Sequence, residues 1–353
     1  MKIQNIETPA LLLDIDVFNN NVNKMMEKLR NKKVKLRPHF KTHKCTEISK
    51  ILIERGAKGI TCSKLSEAEV LAEAGIQDIL IANQIVDPVK IERLTQLSRK
   101  SKITVCVDCK ENIDKLSEIA KKNGVVLFCL IEFDLGMSRC GVDTFEEVLE
   151  LAKIINASDN LELEGIQAYA GHNSHVLDNE KREETAIHLE NKIANLKKYL
   201  NDNNIKINQI SGGSTGTSYI DANSDNYTEL QAGSFVYMDR EYTRLNSDYK
   251  CALTVLSSII SVHKDRIVTD TGAKSCSTEQ GLPVIRELPE ASIGLSEEHG
   301  TIKVKNHNYK LLDKISYIPT HCCTTINLYD KMYIVKDDEV LDIYRVDGSH
   351  KSM

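Results

Sequence analysis

Short apolar runs and amphipathic stretches alternate along the first two thirds of the chain. The apolar runs are rich in β-branched residues and predict strands over 11–16, 34–40, 59–64, 78–84, 102–108, 126–134, 162–170, 207–214 and 229–237. Between most of them, apolar residues recur three or four positions apart, as in Phe145, Val148 and Ala152, which is the spacing of one helix face. Eight strand–helix units behind a leading strand favour a closed, parallel (β/α)8 barrel, a TIM barrel, over an open doubly wound sheet.

The pattern changes after about residue 240, where the helical spacing fades. Alternating apolar runs over 252–262, 301–304, 314–318, 332–335 and 340–344 are separated by glycines, as is typical of antiparallel strands. We therefore predict an α/β protein of two domains. Residues 8–240 form the barrel, and residues 241–353, together with residues 1–7, form a mostly antiparallel β domain.

Composition narrows the possible partners and the cellular location. The chain has 353 residues, of which 41% are hydrophobic and 27% are charged, and its net charge is -5 without a basic patch, which argues against nucleic acid. No apolar run reaches the roughly 18 residues that a membrane helix needs, and residues 1–9 lack the features of a signal peptide. Only two of the ten cysteines are adjacent, which fits a reduced chain, so we expect a cytoplasmic protein.

Unusual polar residues follow several predicted strands, at the end of the barrel where chemistry is expected. Lys41 stands in R-P-H-F-K-T-H-K, among the basic residues Arg37, His39, His43 and Lys44. Such neighbours favour the neutral amine that Schiff-base chemistry needs. From the residues alone, a basic surface loop is the favoured interpretation.

Two further segments carry candidate chemistry. The predicted strand over 207–214 runs into S-G-G-S-T-G-T at 211–217, in which backbone N–H groups and hydroxyls are typical of a phosphate-binding turn. In the β domain, His321 and Cys323 lie two residues apart on a segment that we expect to be extended, so their side chains would share one face and suit a metal such as zinc. Cys322 would then point to the opposite face. A buried cysteine pair with a packed histidine is the structural alternative.

Taken together, these segments resemble the family of D-threonine aldolases and D-serine dehydratases, which is related to alanine racemase. The motif R-P-H-x-K-T-H-K around Lys41 is specific for this family, and S-E-E-H-G at 296–300 and the His-Cys-Cys segment before N-L-Y-D at 327–330 support it independently. The similarity covers nearly the whole chain, from Thr8 to Asp330. It implies an alanine racemase-like fold, in which the barrel binds pyridoxal 5'-phosphate (PLP) and a C-terminal β domain follows.

The resemblance also implies roles for individual positions. Lys41 would hold PLP as an internal aldimine, and Arg139 would lie near the phenolic oxygen of the cofactor and keep it ionised. Gln231 stands where alanine racemase has an arginine facing the pyridine nitrogen, so that nitrogen would stay unprotonated. The other cofactor-binding positions are His39, Tyr169, Gly213, Ser214, Thr215, Tyr237 and Asp239, with the Gly213–Thr215 turn on the phosphate.

His321 and Cys323 would bind a divalent metal next to PLP, where it would hold the β-hydroxyl group of a D-amino acid. As a Lewis acid, a metal lowers the pKa of such a hydroxyl. Removal of the hydroxyl proton, followed by cleavage of the Cα–Cβ bond, gives an aldehyde and glycine. Removal of the Cα proton, followed by loss of hydroxide, is a dehydration. PLP stabilises the carbanionic intermediate in both reactions.

Two residues favour different reactions. His175 lies six residues after Tyr169, as in the aldolases, where such a histidine is the base toward the β-hydroxyl, and His172 is a neighbouring candidate. Cys323 instead matches the H-x-C of the zinc-dependent dehydratases, whereas aldolases usually carry aspartate there, which suits Mn²⁺ or Mg²⁺. More barrel motifs match the aldolases. We therefore predict retro-aldol cleavage of the D-threonine aldolase type, with dehydration of D-serine as the alternative.

Two other functions fit less well. An amino-acid racemase needs a second base on the opposite face of PLP, and the His-Cys segment argues against it. Non-catalytic PLP-binding relatives resemble the barrel alone and lack a C-terminal β domain. The resemblance further implies a homodimer that acts on a small-molecule D-amino acid, with neither nucleic acid nor membrane as a partner.

Overall fold

The computed structural model describes residues 1–245 and 248–353, and these residues form two compact units. The first, which we call the barrel unit, comprises Met26–Lys41, Ile48–Gly233 and Lys351–Met353. The second, the β unit, comprises Met1–Met25, Thr42–Glu47 and Ser234–His350. The β unit thus begins its last segment slightly before the predicted boundary at 240. It also includes two early stretches that the sequence pattern assigned to the barrel.

The described part of the chain contains seventeen strands. In chain order they are β1 (Ala10–Asp14), β2 (Lys35–Leu36), β3 (Ile60–Cys62), β4 (Asp78–Gln84), β5 (Lys102–Val107), β6 (Leu127–Glu132), β7 (Leu161–Ala168), β8 (Gln209–Gly212), β9 (Glu229–Leu230), β10 (Leu253–Val262), β11 (Arg266–Thr269), β12 (Val284–Ile285), β13 (Ser292–Leu295), β14 (Gly300–Lys303), β15 (Lys314–Ile318), β16 (Lys331–Lys336) and β17 (Glu339–Arg345).

The α-helices of the same residues are α1 (Ile15–Lys28), α2 (Phe40–His43), α3 (Thr46–Glu54), α4 (Leu65–Glu73), α5 (Pro88–Leu97), α6 (Lys110–Asn123), α7 (Phe145–Asn156), α8 (Asn179–Asp202), α9 (Ser218–Asp221), α10 (Arg240–Thr243) and α11 (Cys322–Ile326). Short 3₁₀ helices cover Ile3–Asn5, Gly171–Asn173 and Ser234–Val236. Within residues 1–245 and 248–353, no helix has both the length and the apolar composition that crossing a membrane requires.

The barrel unit is built on a parallel sheet of eight strands in the order β2-β9-β8-β7-β6-β5-β4-β3 among the described residues. Its two end strands also meet, because the N–H of Thr61 donates to the carbonyl of Pro38 at 2.9 Å and His39 and Thr61 form a parallel bridge. Helices cover the outside and side chains such as Leu80, Cys106 and Leu130 pack inside. Strands covered on both faces read as continuous apolar runs. The predicted (β/α)8 barrel is confirmed.

Local sequence signals set the helix limits. The helix predicted from Phe145, Val148 and Ala152 is α7. It begins after Thr144, whose side chain accepts from the N–H of Glu147 while the Glu147 carboxylate accepts from the N–H of Thr144. Helix α6 ends at Gly124, whose φ of +62° is the left-handed conformation that glycine adopts at low cost.

The β unit is mostly antiparallel, as predicted. Its strand order is β13-β14-β11-β10-β1-β16-β17, and β15 lies between β10 and β12. The leading strand β1 pairs antiparallel with β10 and parallel with β16, and Leu12, Leu256 and Tyr333 form part of its core. All five alternating runs are strands. Three further strands, β11, β12 and β13, were not predicted.

Candidate functional site

Lys41 lies in a cavity of about 180 Å³ in the barrel unit. Five of the predicted site residues line it together: His39, Lys41, Arg139, Tyr169 and Gln231. They follow β2, β6, β7 and β9, so they gather at the carboxyl end of the parallel strands, where loops of different units converge. Other lining residues, which the sequence did not single out, include Ser63, Asn83, Gln84, Glu132 and Gln167.

The ring of Tyr169 lies near two basic side chains of this cavity. Lys41 Nζ lies 5.7 Å from the ring centroid, and the guanidinium carbon of Arg139 also lies 5.7 Å from it. Both distances are within the range of cation–π attraction. A primary amine, a guanidinium group and an aromatic face therefore surround the same space.

Arg139 is positioned by a tight loop and by a buried carboxylate. The Asp134 carboxylate accepts from the N–H groups of Gly136, Met137 and Ser138, each at 2.8 Å, and these bonds hold its pKa below the usual range although burial opposes them. Glu132, on β6, lies 3.8 Å from Arg139 and accepts from Gln84 Nε2 at 2.7 Å. Burial raises the pKa of Glu132, which the Gln84 bond and Arg139 partly offset. Sequence reasoning missed Glu132 because, on its strand, it reads as one polar residue in an apolar run.

Gln231 presents a neutral group to the cavity. Its Nε2 donates to Gln167 Oε1 at 2.7 Å and to Ser211 Oγ at 2.9 Å, so its nearest side-chain partners are uncharged as well. Its backbone N–H donates to the carbonyl of Gly212 at 2.7 Å, which joins it to the glycine-rich turn. This environment fits a ring nitrogen that stays unprotonated.

The turn after β8 has the shape of a phosphate cradle. Gly213 has a φ of +70°, and a Cβ there would lie 2.5 Å from Leu230 Cδ1 and 2.6 Å from Asp221 Oδ2, so only glycine fits. Ser214 and Thr215 are buried beside it. These three residues are not among the described residues that line the Lys41 cavity. The open backbone of the turn nevertheless fits a phosphate group.

Asp221 closes the back of this turn and was not predicted. Its carboxylate accepts from the hydroxyl of Thr217 and from the N–H of Ser214. Burial raises its pKa from 3.8 to about 7, and the charge of Glu190 adds to the shift. Burial therefore favours the protonated form of this carboxyl group.

The basic residues around Lys41 in the sequence do not act as one cluster, which corrects that expectation. Arg37 is paired with Asp78 and Glu229, each at 2.8 Å. His43 belongs to the β unit, where burial lowers its pKa to about 3, so its ring is neutral. Lys44 donates to the carbonyl of Gly348 at 3.1 Å. Of the four, His39 is the one that lines the described cavity, and Ser63 Oγ lies 3.3 Å from its Nε2.

The two predicted metal ligands lie side by side in the β unit. The ring of His321 hydrogen-bonds the side chain of Cys323, and its Nδ1 lies 2.6 Å from Glu279 Oε2. Burial alone would lower the pKa of His321, but Cys323 and Glu279 outweigh it and raise it to about 9. Cys323 Sγ also lies 3.5 Å from Thr42 Oγ1. Glu279, which no sequence signal indicated, fixes the ring and leaves Nε2 as the nitrogen for a metal.

The segment itself is not extended, which corrects the prediction. Residues Cys322–Ile326 form the short helix α11, with His321 at its N-cap position. Cys322 is fully buried and its N–H donates to Asp239 Oδ2 at 3.0 Å, whereas Cys323 is partly exposed. The two cysteines therefore do differ in orientation, but helical geometry and the Asp239 contact are the cause.

Asp239 and Tyr237 are both buried in the β unit. Asp239 also accepts from the N–H of Tyr242 at 3.0 Å, so it connects α10 to the His-Cys segment, and burial raises its pKa to about 6. The hydroxyl of Tyr237 donates to the carbonyl of His43 at 3.4 Å. Both residues hold the surroundings of α11 and α2 in place.

The donor set of the β unit does not by itself complete a metal site. Among the described residues, no three histidine, cysteine, aspartate or glutamate side chains are arranged to hold an ion. An imidazole and a thiol in contact, with a carboxylate on the far ring nitrogen, are nevertheless the chemistry of a transition-metal site. The residues fit a metal whose remaining ligands come from substrate or water.

His172 and His175 lie on the loop between β7 and α8. His172 lies in the 3₁₀ turn Gly171–Asn173, and both imidazoles are exposed. Neither is among the described residues that line the Lys41 cavity. The loop contacts the Arg139 loop, because the N–H of Gly171 donates to Met137 Sδ at 3.0 Å.

Two family models match the chain in succession. The model of the alanine racemase N-terminal domain matches residues 13–241, and a serine dehydratase domain model matches residues 252–335. These matches correspond to the part of the chain with the barrel strands and to the part with the later antiparallel strands.

Similar proteins agree with both models. A 3-hydroxy-D-aspartate aldolase of Paracoccus denitrificans is 36% identical, over 98% of this chain and 93% of its own. A D-threonine aldolase of Arthrobacter sp. is also 36% identical, over 97% and 92%. A D-serine dehydratase of Dictyostelium discoideum is more distant, at 26% identity over 95% of each chain.

A solved structure shows the same fold over the whole length. The crystal structure of D-threonine aldolase from Filomicrobium marinum superposes with a TM-score of 0.97, at 32% identity, over 100% of this chain and 98% of that one. Full-length identity above 30% and the same two-part fold agree with the resemblance seen in the motifs. The chain belongs to the alanine racemase-like family of PLP-dependent enzymes that includes D-threonine aldolase and 3-hydroxy-D-aspartate aldolase, and it is a PLP-dependent lyase.

Proposed function

We propose that the enzyme cleaves β-hydroxy-D-amino acids by a retro-aldol reaction. The β-hydroxyl gives up its proton, the Cα–Cβ bond breaks, an aldehyde leaves, and Cα takes up a proton to give glycine. Atoms and charge balance without any oxidant or reductant. D-threonine would give acetaldehyde, and 3-hydroxy-D-aspartate would give glyoxylate.

One observation carries the PLP-dependent chemistry of the proposal: Lys41 shares its cavity with Tyr169, Arg139 and the neutral Gln231. This arrangement provides an amine for the PLP aldehyde, a cation for its phenolic oxygen and an uncharged group for its ring nitrogen. Two aldolases with 36% identity over almost the whole chain support the choice of reaction.

Each of these residues would have a separate role in the reaction. Lys41 would hold the cofactor through its amine, the Gly213–Thr215 turn would bind the phosphate, and Glu132 would keep Arg139 directed at the phenolic oxygen. His175 would take the β-hydroxyl proton, since an imidazole is a suitable base near neutral pH. When bound, PLP supplies an electron sink for the pair released from Cα.

A divalent metal would be held by His321 and Cys323, with Glu279 fixing the histidine ring. Bound there, it would act as a Lewis acid on the substrate hydroxyl. The thiol of Cys323 favours a softer metal, so we propose zinc ahead of Mn²⁺ or Mg²⁺.

Dehydration remains a second candidate because of Cys323 and of the serine dehydratase domain match over residues 252–335. In that reaction, D-serine would lose its Cα proton and then hydroxide from Cβ, and hydrolysis of the resulting imine would give pyruvate and ammonia. The residues that line the Lys41 cavity are compatible with both reactions, so products must distinguish them.

The test is a product assay on PLP-loaded, metal-supplemented enzyme with D-threonine, 3-hydroxy-D-aspartate and D-serine in parallel. Glycine and an aldehyde in equal amounts from the first two substrates support aldol cleavage. 2-Oxobutyrate, oxaloacetate or pyruvate together with ammonia would show dehydration instead. Lys41→Ala is the control, which should lose both the absorbance of the lysine-bound cofactor and all turnover.

The homodimeric state and the cytoplasmic location stay predictions. Light scattering in solution tests the first, and fractionation of cells tests the second.

A further inference from the structure

The loop that carries His172 and His175 is tied down by one buried arginine. Arg182 lies in the first turn of α8, four residues after Asp178, the N-cap residue of that helix. Only 2% of Arg182 is exposed, whereas its neighbour Lys181 is exposed. Arg182 begins the buried face of α8, which continues with Ala186 and Leu189, and a charged side chain at the start of an otherwise apolar face calls for an explanation.

Arg182 differs from the other large buried arginine. Arg37 is 1% exposed and has two carboxylates around it, Asp78 and Glu229. Arg182 has no carboxylate partner among the described residues, and its Nε has no hydrogen-bond partner there. A buried cation without a counter-charge costs free energy, so its other contacts must compensate for the loss of water.

Those contacts all fix the histidine loop. Nη1 of Arg182 donates to the carbonyl of Val176, the residue directly after His175. Nη2 donates to Asn179 Oδ1 at 2.5 Å. The backbone carbonyl of Arg182 accepts from Asn173 Nδ2, the side chain directly after His172, at 3.0 Å. The guanidinium group therefore holds the backbone next to His175, and the main chain of the same residue holds the side chain next to His172.

The same guanidinium group also links this loop to the Gly213–Thr215 turn, which we call the phosphate turn because it is proposed to bind the phosphate of PLP. Its carbon lies 5.5 Å from the centroid of the Tyr219 ring, within the range of a cation–π contact. Tyr219 is in α9, which begins just after the Gly213–Thr215 turn. The loop of the histidines and the turn proposed for the cofactor phosphate are thus linked by a single side chain.

We infer that Arg182 is a positioning residue for the reaction. It fixes residues 172–179 by hydrogen bonds and so holds the imidazole of His175 where it can take the β-hydroxyl proton. This inference rests on the proposed function, in which His175 is the base. Arg182 would contact neither substrate nor cofactor. Its planar fork of donors and its flat face are both used, and the single ammonium group of lysine cannot reproduce them.

The experiment compares Arg182→Lys, Arg182→Ala and the control Lys181→Ala, all as PLP- and metal-loaded enzymes. We expect kcat for D-threonine cleavage to fall by about 10- to 100-fold in both Arg182 variants, with KM within about twofold, since displacement of a base by about 1 Å costs rates of this size. Added guanidinium ion should restore part of kcat to Arg182→Ala. Lys181→Ala should match the wild type.

Amide hydrogen exchange gives a readout that does not need turnover. Residues 170–178 should exchange faster in Arg182→Lys than in the wild type, while cofactor absorbance and exchange in the barrel strands stay unchanged. Unchanged exchange in the loop would show that the side chain of Arg182 does not fix it. Faster exchange with an unchanged kcat would refute the positioning role.

The two proposals fail in different ways. If wild-type enzyme yields no glycine from any β-hydroxy-D-amino acid, the proposed function and the role of His175 as base are refuted. The exchange comparison then still decides whether Arg182 fixes the loop. If the wild type cleaves D-threonine and Arg182→Lys does so equally well, only the inference about Arg182 is overturned. Should Arg182→Ala fail to fold, Arg182→Lys decides alone.

Discussion

Asp221 should make the stability of this protein depend on pH in a specific direction, and Asp221→Asn should remove that dependence. Its carboxyl group is buried behind the phosphate turn, and burial raises its pKa from 3.8 to about 7. Glu190 adds negative charge, while the bonds from Thr217 and Ser214 oppose the shift. Asparagine keeps the shape and an acceptor oxygen but cannot ionise.

The sign follows from which state binds the proton more tightly. The folded chain has the higher pKa, so the stabilising contribution of the protonated group is complete below about pH 4 and is lost as the pH rises through about 7. At about 1.4 kcal/mol per pKa unit, the shift corresponds to about 4 kcal/mol in total. Between about pH 5 and pH 8, the loss is about 2.5 kcal/mol.

The assay is urea unfolding of the PLP-free chain at about pH 5 and about pH 8, because bound phosphate would add its own titration. From about pH 5 to about pH 8, the free energy of unfolding of Asp221→Asn should rise by about 2.5 kcal/mol relative to that of the wild type. Asp134→Asn is the control, since the pKa of Asp134 is lowered and its contribution is constant in this range. An equal difference at both pH values would refute the burial argument for Asp221.

Three other predictions concern the cofactor and the metal. Gly213→Ala should weaken PLP binding at least about tenfold, because a Cβ there meets Leu230 and Asp221, whereas the matched Gly281→Ala has open space and should leave the PLP affinity unchanged. Cys323→Asp should shift metal preference from zinc towards manganese in competition measurements, and an unchanged profile would show that Cys323 is not a ligand. Glu279→Gln should lower zinc affinity by about 10- to 100-fold in chelator titrations, and full affinity would remove Glu279 from the site.

The barrel could be predicted because its signals are local. Each strand of a sheet covered on both faces is a continuous apolar run, and each helix has its own period and caps, as in α7 with Thr144 and Glu147.

The composition of the cavity could be predicted only in part. Lys41 and Arg139 were found because their motifs are specific, and the structure does bring them together with Tyr169. Glu132, Asp221 and Glu279 were missed, since each is a common acidic residue in its own segment. Their importance comes from what they contact across the fold.

The basic residues next to Lys41 in the sequence gave a misleading picture of its surroundings for the same reason. Arg37 and His43 stand close to Lys41 along the chain, yet the first is neutralised by Asp78 and Glu229 and the second is kept neutral by burial. Likewise, a spacing of two positions between His321 and Cys323 in an extended segment would place them on one face, but α11 begins there, and Asp239 accepts from the N–H of Cys322.

The sequence by itself determined the succession of barrel and β domain and the family, and it predicted Lys41 as the lysine for PLP, because period, caps and motifs are properties of neighbouring residues. The tertiary structure alone decided which carboxylates act on Arg139, His321 and the phosphate turn, and that Arg182 holds the histidine loop. Burial and charge pairing depend on residues that are far apart in the chain, and no local pattern records them.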